Sequence, residues 1–165
     1  MYHVLTDQKH PDFPIDLKFK TCQHTIIGVN KYFPDLIHFA NQILASYGYK
    51  CETITDDNYD KKCHVEYHVY HNNNPDTIVE SSFGIHCDNR GGVNYDVHTC
   101  IIYFENTFES GGELWITDEK SKINKIKPIP DMIVLMDGSV AHEITPVKGC
   151  GTRRCVVIQI QQLNG

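Results

Sequence analysis

The chain has 165 residues and a formal charge of −6, from 15 Lys+Arg against 21 Asp+Glu. An apolar fraction of 41% and a charged fraction of 22% are ordinary for a globular protein. They exclude disorder, collagen and coiled coil as descriptions of the whole. The length suits one domain, residues 1–165, and the acidic balance argues against a nucleic-acid partner. No run approaches the ~18 apolar residues of a membrane span, so no membrane is expected. The seven cysteines lack the tight, even clustering of a secreted scaffold. The first ~25 residues lack the apolar core of a signal peptide. The expected setting is therefore a reducing compartment, the cytoplasm. Oligomeric state is not legible.

The lead-in, with Pro11 and Pro14, reads as irregular. His24–Asn30 is a short apolar run, read as a strand. Pro34-Asp35 then opens a stretch with Leu36, Ile37, Phe39, Ala40, Ile43 and Leu44 at helical spacing. Proline in its first turn and Gly48 past its end predict a helix near residues 34–47. Residues 24–50 form an N-terminal support.

After Asp60 the pattern turns to short strands. Cys63–Tyr70 alternates, with Val65, Tyr67 and Val69 on one face. His64, Glu66 and His68 take the other, read as a polar outer face with too few ligands for zinc. Phe83–Asp88, Val97–Glu105, Glu113–Thr117, Met132–Met136 and Arg154–Gln161 also read as strands, separated by Gly, Asn and Asp turn signals. Gly111-Gly112 reads as a hairpin turn. Trp115 lies opposite Leu114 and is expected to anchor the core. One helix followed by closely spaced strands predicts a mainly β fold, a sandwich or jelly roll with the helix on one face.

The chemistry concentrates in three residues. His86 and Asp88 stand two apart in FGIHCDN, and on a strand residues i and i+2 share a face. His142 follows in SVAHEITPV. Two imidazoles and one carboxylate on one side of a metal suit non-haem Fe(II), which must hold a co-substrate and O₂ together. Further on, KGCGTRRC places Arg153 and Arg154 at the start of an apolar strand. An inward Arg is expensive to bury unless it meets an anion, and its planar fork matches a carboxylate. Alternation lets only one of the two arginines point inward. Tyr103 shares a strand face with Ile101 and Thr99, and its hydroxyl can reach the same carboxylate. Ile101, Leu114 and Val157 are candidates for the co-substrate pocket or for ordinary core. Asn89–Gly92 and Tyr95 are expected to form a loop over the site. Cys87 should point away from the metal, and Cys150 lies in an exposed loop.

Six elements now stand in a recognisable order. They are His86-x-Asp88, Tyr103-Phe104-x-Asn106, Gly111-Gly112-Glu113-Leu114, Asp137-Gly138, His142-Glu143 with Thr145-Pro146-Val147, and Gly151-Thr152-Arg153. Residues 83–161 resemble the catalytic core of the Fe(II)/2-oxoglutarate-dependent oxygenases, in the prolyl/lysyl-hydroxylase-like branch. The resemblance implies a double-stranded β-helix in which His86, Asp88 and His142 ligate Fe(II). It also implies that Arg153, after Gly-Thr, binds the distal carboxylate of 2-oxoglutarate with Tyr103 as partner. The cofactor set it implies is Fe(II), 2-oxoglutarate and O₂, with ascorbate as an accessory. The implied activity is hydroxylation of a peptide or protein side chain, proline first, coupled to conversion of 2-oxoglutarate to succinate and CO₂. The other readings are a small-molecule or nucleic-acid oxygenase of the superfamily and a jelly-roll binding module without turnover. The region after His142 lacks the Arg-x-Asn-x-Thr-x-Arg pattern of the nucleic-acid demethylases.

Overall fold

The computed structural model describes residues 1–13, 23–28, 33–81, 83–90 and 95–163, with Gln23 and Arg90 described by their backbone only. Pro14, Asn30, Gly91, Gly92 and the Arg90 side chain, all within segments named above, lie outside the described residues. The described elements are, in chain order, β1 (Tyr2–Leu5), β2 (Gln23–Gly28), α1 (Pro34–Ser46), α2 (Tyr59–Lys62), β3 (Cys63–Asn72) and β4 (Ile78–Val79). They continue with a 3₁₀ turn (Asp88–Arg90), β5 (Val97–Asn106), β6 (Ser110–Gly111), β7 (Leu114–Thr117) and β8 (Ile123–Ile126). Last come β9 (Ile133–Asp137), β10 (His142–Ile144), β11 (Val147–Lys148) and β12 (Gly151–Gln161).

The helix α1 begins with Pro34 in its first turn and Asp35 near its positive end. It ends where Gly48 takes φ +87°, a conformation that suits glycine. There Gly48 N–H donates to Ala45 O and Tyr49 N–H to Leu44 O. Leu36, Ile37, Ala40 and Leu44 form its buried stripe.

Six strands make the main sheet, in the order β1-β9-β5-β12-β3-β2, and every neighbouring pair is antiparallel. Two smaller sheets, β10-β7-β8 and β4-β11-β6, supply the second layer. The period of two in the strands sorts the core into two parts. Val65, Tyr67, Val69, Cys100, Ile102, Ile133, Leu135, Val156, Ile158 and Ile160 pack with α1. Ile101, Tyr103, Val134, Met136 and Cys155 point the other way and pack with Leu114 and Ile116 of the small sheet.

Several expectations are corrected. Phe83–Asp88 is no strand: it holds one isolated bridge, at His86, and then the 3₁₀ turn. Gly111-Gly112 is not a hairpin turn. It is the corner where the chain leaves β11 and begins to pair with β10. Both glycines have positive φ, and a Cβ on Gly111 would strike the Pro146 carbonyl. Trp115 does face away from Leu114, but it sits half-buried on the outside. Its Nε1–H donates to Glu113 Oε2 at 2.8 Å, and Lys125 Nζ lies 4.5 Å over its ring. Strands β1, β4, β6, β8, β10 and β11 and the short α2 escaped the periodicity. Each of these strands is only two to four residues long, and β1 and β8 are partly exposed, so their sequences carry little apolar signal.

Candidate active site

His142 opens β10, and His86 lies directly opposite it. The two residues exchange both backbone hydrogen bonds, His86 N–H to His142 O and His142 N–H to His86 O, each 2.9 Å. Side chains of such an antiparallel pair leave on the same side, and the imidazole centroids stand 4.3 Å apart. Asp88 then joins through the 3₁₀ turn rather than through strand alternation. Its Oδ1 is 3.7 Å from His86 Nε2 and 3.7 Å from His142 Nε2. Those distances are too long for hydrogen bonds. The three ligand atoms lie within 4.8 Å of one another.

The outer atoms of the trio are each held. His86 Nδ1 sits 2.9 Å from the Gly84 carbonyl and His142 Nδ1 3.0 Å from the Val140 carbonyl. A carbonyl only accepts, so both Nδ1 atoms carry the proton and both Nε2 lone pairs face Asp88. Burial lowers the pKa of His142 and keeps its ring neutral. Thr99 Oγ1–H donates to Asp88 Oδ2 and leaves Oδ1 for the centre. Asn89 does not cover the site. Its Oδ1 accepts from Val97 N–H at 2.8 Å, and its N–H donates to the Gly138 carbonyl. Two imidazole Nε2 atoms and a carboxylate oxygen, each pinned from behind, are the donor set and support that a divalent metal needs.

The ligands line a pocket together with Ile101, Leu114, Ile144 and Val157. The three apolar candidates from the sequence thus come together on β5, β7 and β12. Deeper in the barrel lies Arg153, fully buried. Its Nε donates to the Gly112 carbonyl at 3.0 Å, and NH2 lies 3.4 Å from the Tyr103 hydroxyl. NH1 lies 3.8 Å from Cys155 Sγ. Burial raises the pKa of both Tyr103 and Cys155, so these partners stay protonated. No described contact of Arg153 is an anion. A buried guanidinium with only neutral partners is what a bound dicarboxylate would complete. Arg154 points to the opposite face and pairs with Glu105 at 2.7 Å, so the inward arginine is Arg153.

Sequence reading missed four contributors. Gly112 at φ +66° holds Arg153 by its carbonyl, and a Cβ there would lie 3.1 Å from Arg153 Cδ. Thr99 lies on the face that alternation gives it, but its partner Asp88 is set by the tertiary structure. The third miss is a correction: His64, Glu66 and His68 are not an outer face but line this same pocket. The fourth, Gln159, stands beside His64 on β12 and also lines it.

A jelly-roll of antiparallel strands with a His-Asp-His group at its mouth defines a metal-dependent enzyme class. The model of the 2OG-Fe(II) oxygenase superfamily matches residues 65–160, more than half of the chain. The protein belongs to that superfamily, whose cofactor and co-substrates are Fe(II), 2-oxoglutarate and O₂. Among solved structures it resembles a Pseudomonas putida prolyl-4-hydroxylase at 13% identity and TM-score 0.59, over 86% of this chain and 73% of that one. It also resembles a Trichoplax adhaerens prolyl hydroxylase in complex with a hypoxia inducible factor oxygen degradation domain peptide fragment. That match has 17% identity and TM-score 0.56, over 84% and 63% of the two chains. A Burkholderia pseudomallei oxidoreductase of the 2OG-Fe(II) oxygenase family matches at 17% identity and TM-score 0.54, over 76% and 53%. At such identities the likeness is one of fold, the double-stranded β-helix. The chain spans between about half and three quarters of the length of these structures. No curated protein matches it. Among the described residues no helix is long and apolar enough to cross a membrane.

Proposed function

We propose that the protein hydroxylates a C–H bond of a peptide or protein side chain, with proline the first candidate. We treat residues 1–165 as one oxygenase domain, its core over 83–161 and its helical support over 24–50. In the balanced reaction one oxygen atom of O₂ enters the hydroxyl group. The other enters succinate, formed with CO₂ from 2-oxoglutarate. Fe(II) held by His86, Asp88 and His142 would supply O₂ binding and the oxidising power. Arg153 and the Tyr103 hydroxyl take the distal carboxylate of 2-oxoglutarate and fix its depth. Ile101, Leu114 and Val157 exclude water around its carbon chain. Thr99 keeps Asp88 aimed, and the Gly84 and Val140 carbonyls keep both imidazole lone pairs presented.

The observation that carries this reading is Arg153, fully buried with no anion among its described contacts, in the barrel whose mouth bears the His-Asp-His group. The Trichoplax neighbour, bound to a peptide, supports a peptide as substrate. The test is anaerobic titration with Fe(II) and 2-oxoglutarate, followed by the weak visible charge-transfer band. The wild type shows the band. His142→Ala weakens Fe(II) binding at least ~100-fold and removes it, with the far-ultraviolet circular dichroism unchanged. An iron-loaded wild type without the band overturns the reading. Peptides are then screened for a mass gain of one oxygen.

A further inference from the structure

One wall of the pocket belongs neither to the His-Asp-His group nor to the apolar lining of Ile101, Leu114, Ile144 and Val157. His64, Glu66 and His68 project into it from β3, beside Gln159 of β12. Glu66 Oε1 lies 2.9 Å from His64 Nε2, and Oε2 lies 2.9 Å from His68 Nε2. A carboxylate only accepts, so both rings present Nε2–H to it. His24 extends the chain through Nε2, 3.3 Å from His68 Nδ1, and stacks on Tyr70 with centroids 3.9 Å apart. The bonds from His64 and His68 hold Glu66 well below the ordinary carboxylate range. Glu66 therefore stands ionised in the pocket, clamped on both sides and 26% exposed. A carboxylate has about four lone-pair sites, and the imidazoles use only two of them.

On the reading that this site holds Fe(II) and 2-oxoglutarate, we propose that the wall binds a cationic group of the substrate, an ammonium or guanidinium, with Glu66 as its counter-charge. Charge balance selects the ligand. Fe(II) with Arg153 cancels Asp88 with the two carboxylates of 2-oxoglutarate, and Glu66 is left over. A half-buried carboxylate beside Val157 is stabilised by an opposite charge with N–H donors. Val157 pairs with Glu66 on one side and Ile101 on the other. Glu66 thus stands two strand spacings, about 10 Å, from the Ile101 column, with pocket between. The substrate's basic nitrogen enters the same pocket as the reacting carbon. A basic neighbour in a prolyl peptide or a basic side chain that is itself hydroxylated supplies the same chemistry. The competing source of positive charge is an imidazolium at His64, whose pKa Glu66 raises.

The test is calorimetric titration of the whole chain, loaded anaerobically with Fe(II) and 2-oxoglutarate. The probes are Nα-acetyl-L-argininamide and its uncharged isostere Nα-acetyl-L-citrullinamide. The arginine derivative is expected to bind at least tenfold tighter, and Glu66→Gln to abolish that preference. Equal binding, no binding of either probe at millimolar concentration, or a preference retained in Glu66→Gln overturns the proposal. The wild-type comparison needs no variant, so misfolding of Glu66→Gln leaves it decisive. The visible band, read in the same samples, separates the two conclusions. A band without cation preference sinks the wall and keeps the oxygenase. A preference without a band keeps Glu66 as a cation site and sinks the oxygenase.

Discussion

On one face β3 presents Val65, Tyr67 and Val69 to the helix; on the other it presents His64, Glu66 and His68 to the pocket. β12 repeats the division, with Val156, Ile158 and Ile160 outward and Arg153, Val157 and Gln159 inward. The outward face follows the rule of a packed core and gains from apolar area removed from water. The inward face draws polar and charged groups partly or wholly out of water, which costs free energy wherever partners are lacking. Arg153 and Arg154 show the difference at adjacent positions. Arg154 has a carboxylate partner and partial exposure; Arg153 is fully buried and has no carboxylate partner among the described residues. Apolar burial lies mostly on the first face, and the groups proposed to hold ligands lie on the second.

The sharpest break of that division is Arg153→Met. Losing the buried anion site should weaken 2-oxoglutarate binding by about 2–5 kcal/mol. The melting temperature without 2-oxoglutarate should not fall, because a desolvated cation without an anion is replaced by apolar volume. Arg154→Met should leave 2-oxoglutarate binding unchanged and cost at most about 1 kcal/mol of stability, as expected for a partly exposed ion pair. Titration of the visible band and thermal unfolding measure both quantities. Equal effects of the two changes would erase the comparison.

Ile102→Ala tests the other face. It should cost about 2–5 kcal/mol in denaturant unfolding while 2-oxoglutarate binding to the folded fraction stays the same. Thr99→Val is smaller and inverse. It removes the hydroxyl that holds Asp88 and should weaken Fe(II) binding by about tenfold, with little change in unfolding.

The smallest effect is on pH dependence. His24, lowered to about 3 chiefly by burial, stays neutral in the fold while the unfolded chain takes up a proton below about 6.5. Stability therefore falls as pH drops from about 6.5 toward 3. Glu66, lowered by His64 and His68, adds a loss of the same sign below about 4.3. His64 is raised by Glu66 and acts the other way, losing its contribution as pH rises above about 6.5. Glu66→Gln should flatten the unfolding profile on the acid side, measured by urea denaturation between pH 3 and 6. An unchanged acid limb would show that Glu66 is not held ionised by its neighbours.

Much of this was legible because strand and helix periods are local. Alternation put Thr99, Ile101 and Tyr103 on one face and separated Arg153 from Arg154, and the spacing from Pro34 to Gly48 marked α1. The order of short motifs along the chain points to His86, Asp88, His142 and Arg153. Other features rest on long-range pairing. His86 and Asp88 were expected to share a strand face, yet they meet through a bridge to His142 and a 3₁₀ turn. Gly112 reads as a turn signal until Arg153 is packed against it.

The sequence by itself determined the helix and the alternation within each strand, and it singled out the three residues of the His-Asp-His group, because these depend on residue type and on neighbours a few positions away. Only the tertiary structure decided which face of β3 looks inward. A polar face in an antiparallel sheet ordinarily meets water. Here β7 and β10 close over it, and His64, Glu66 and His68 become the wall of a pocket instead of the surface of the molecule. Burial is a property of what packs on a strand, and that lies outside the strand's own residues.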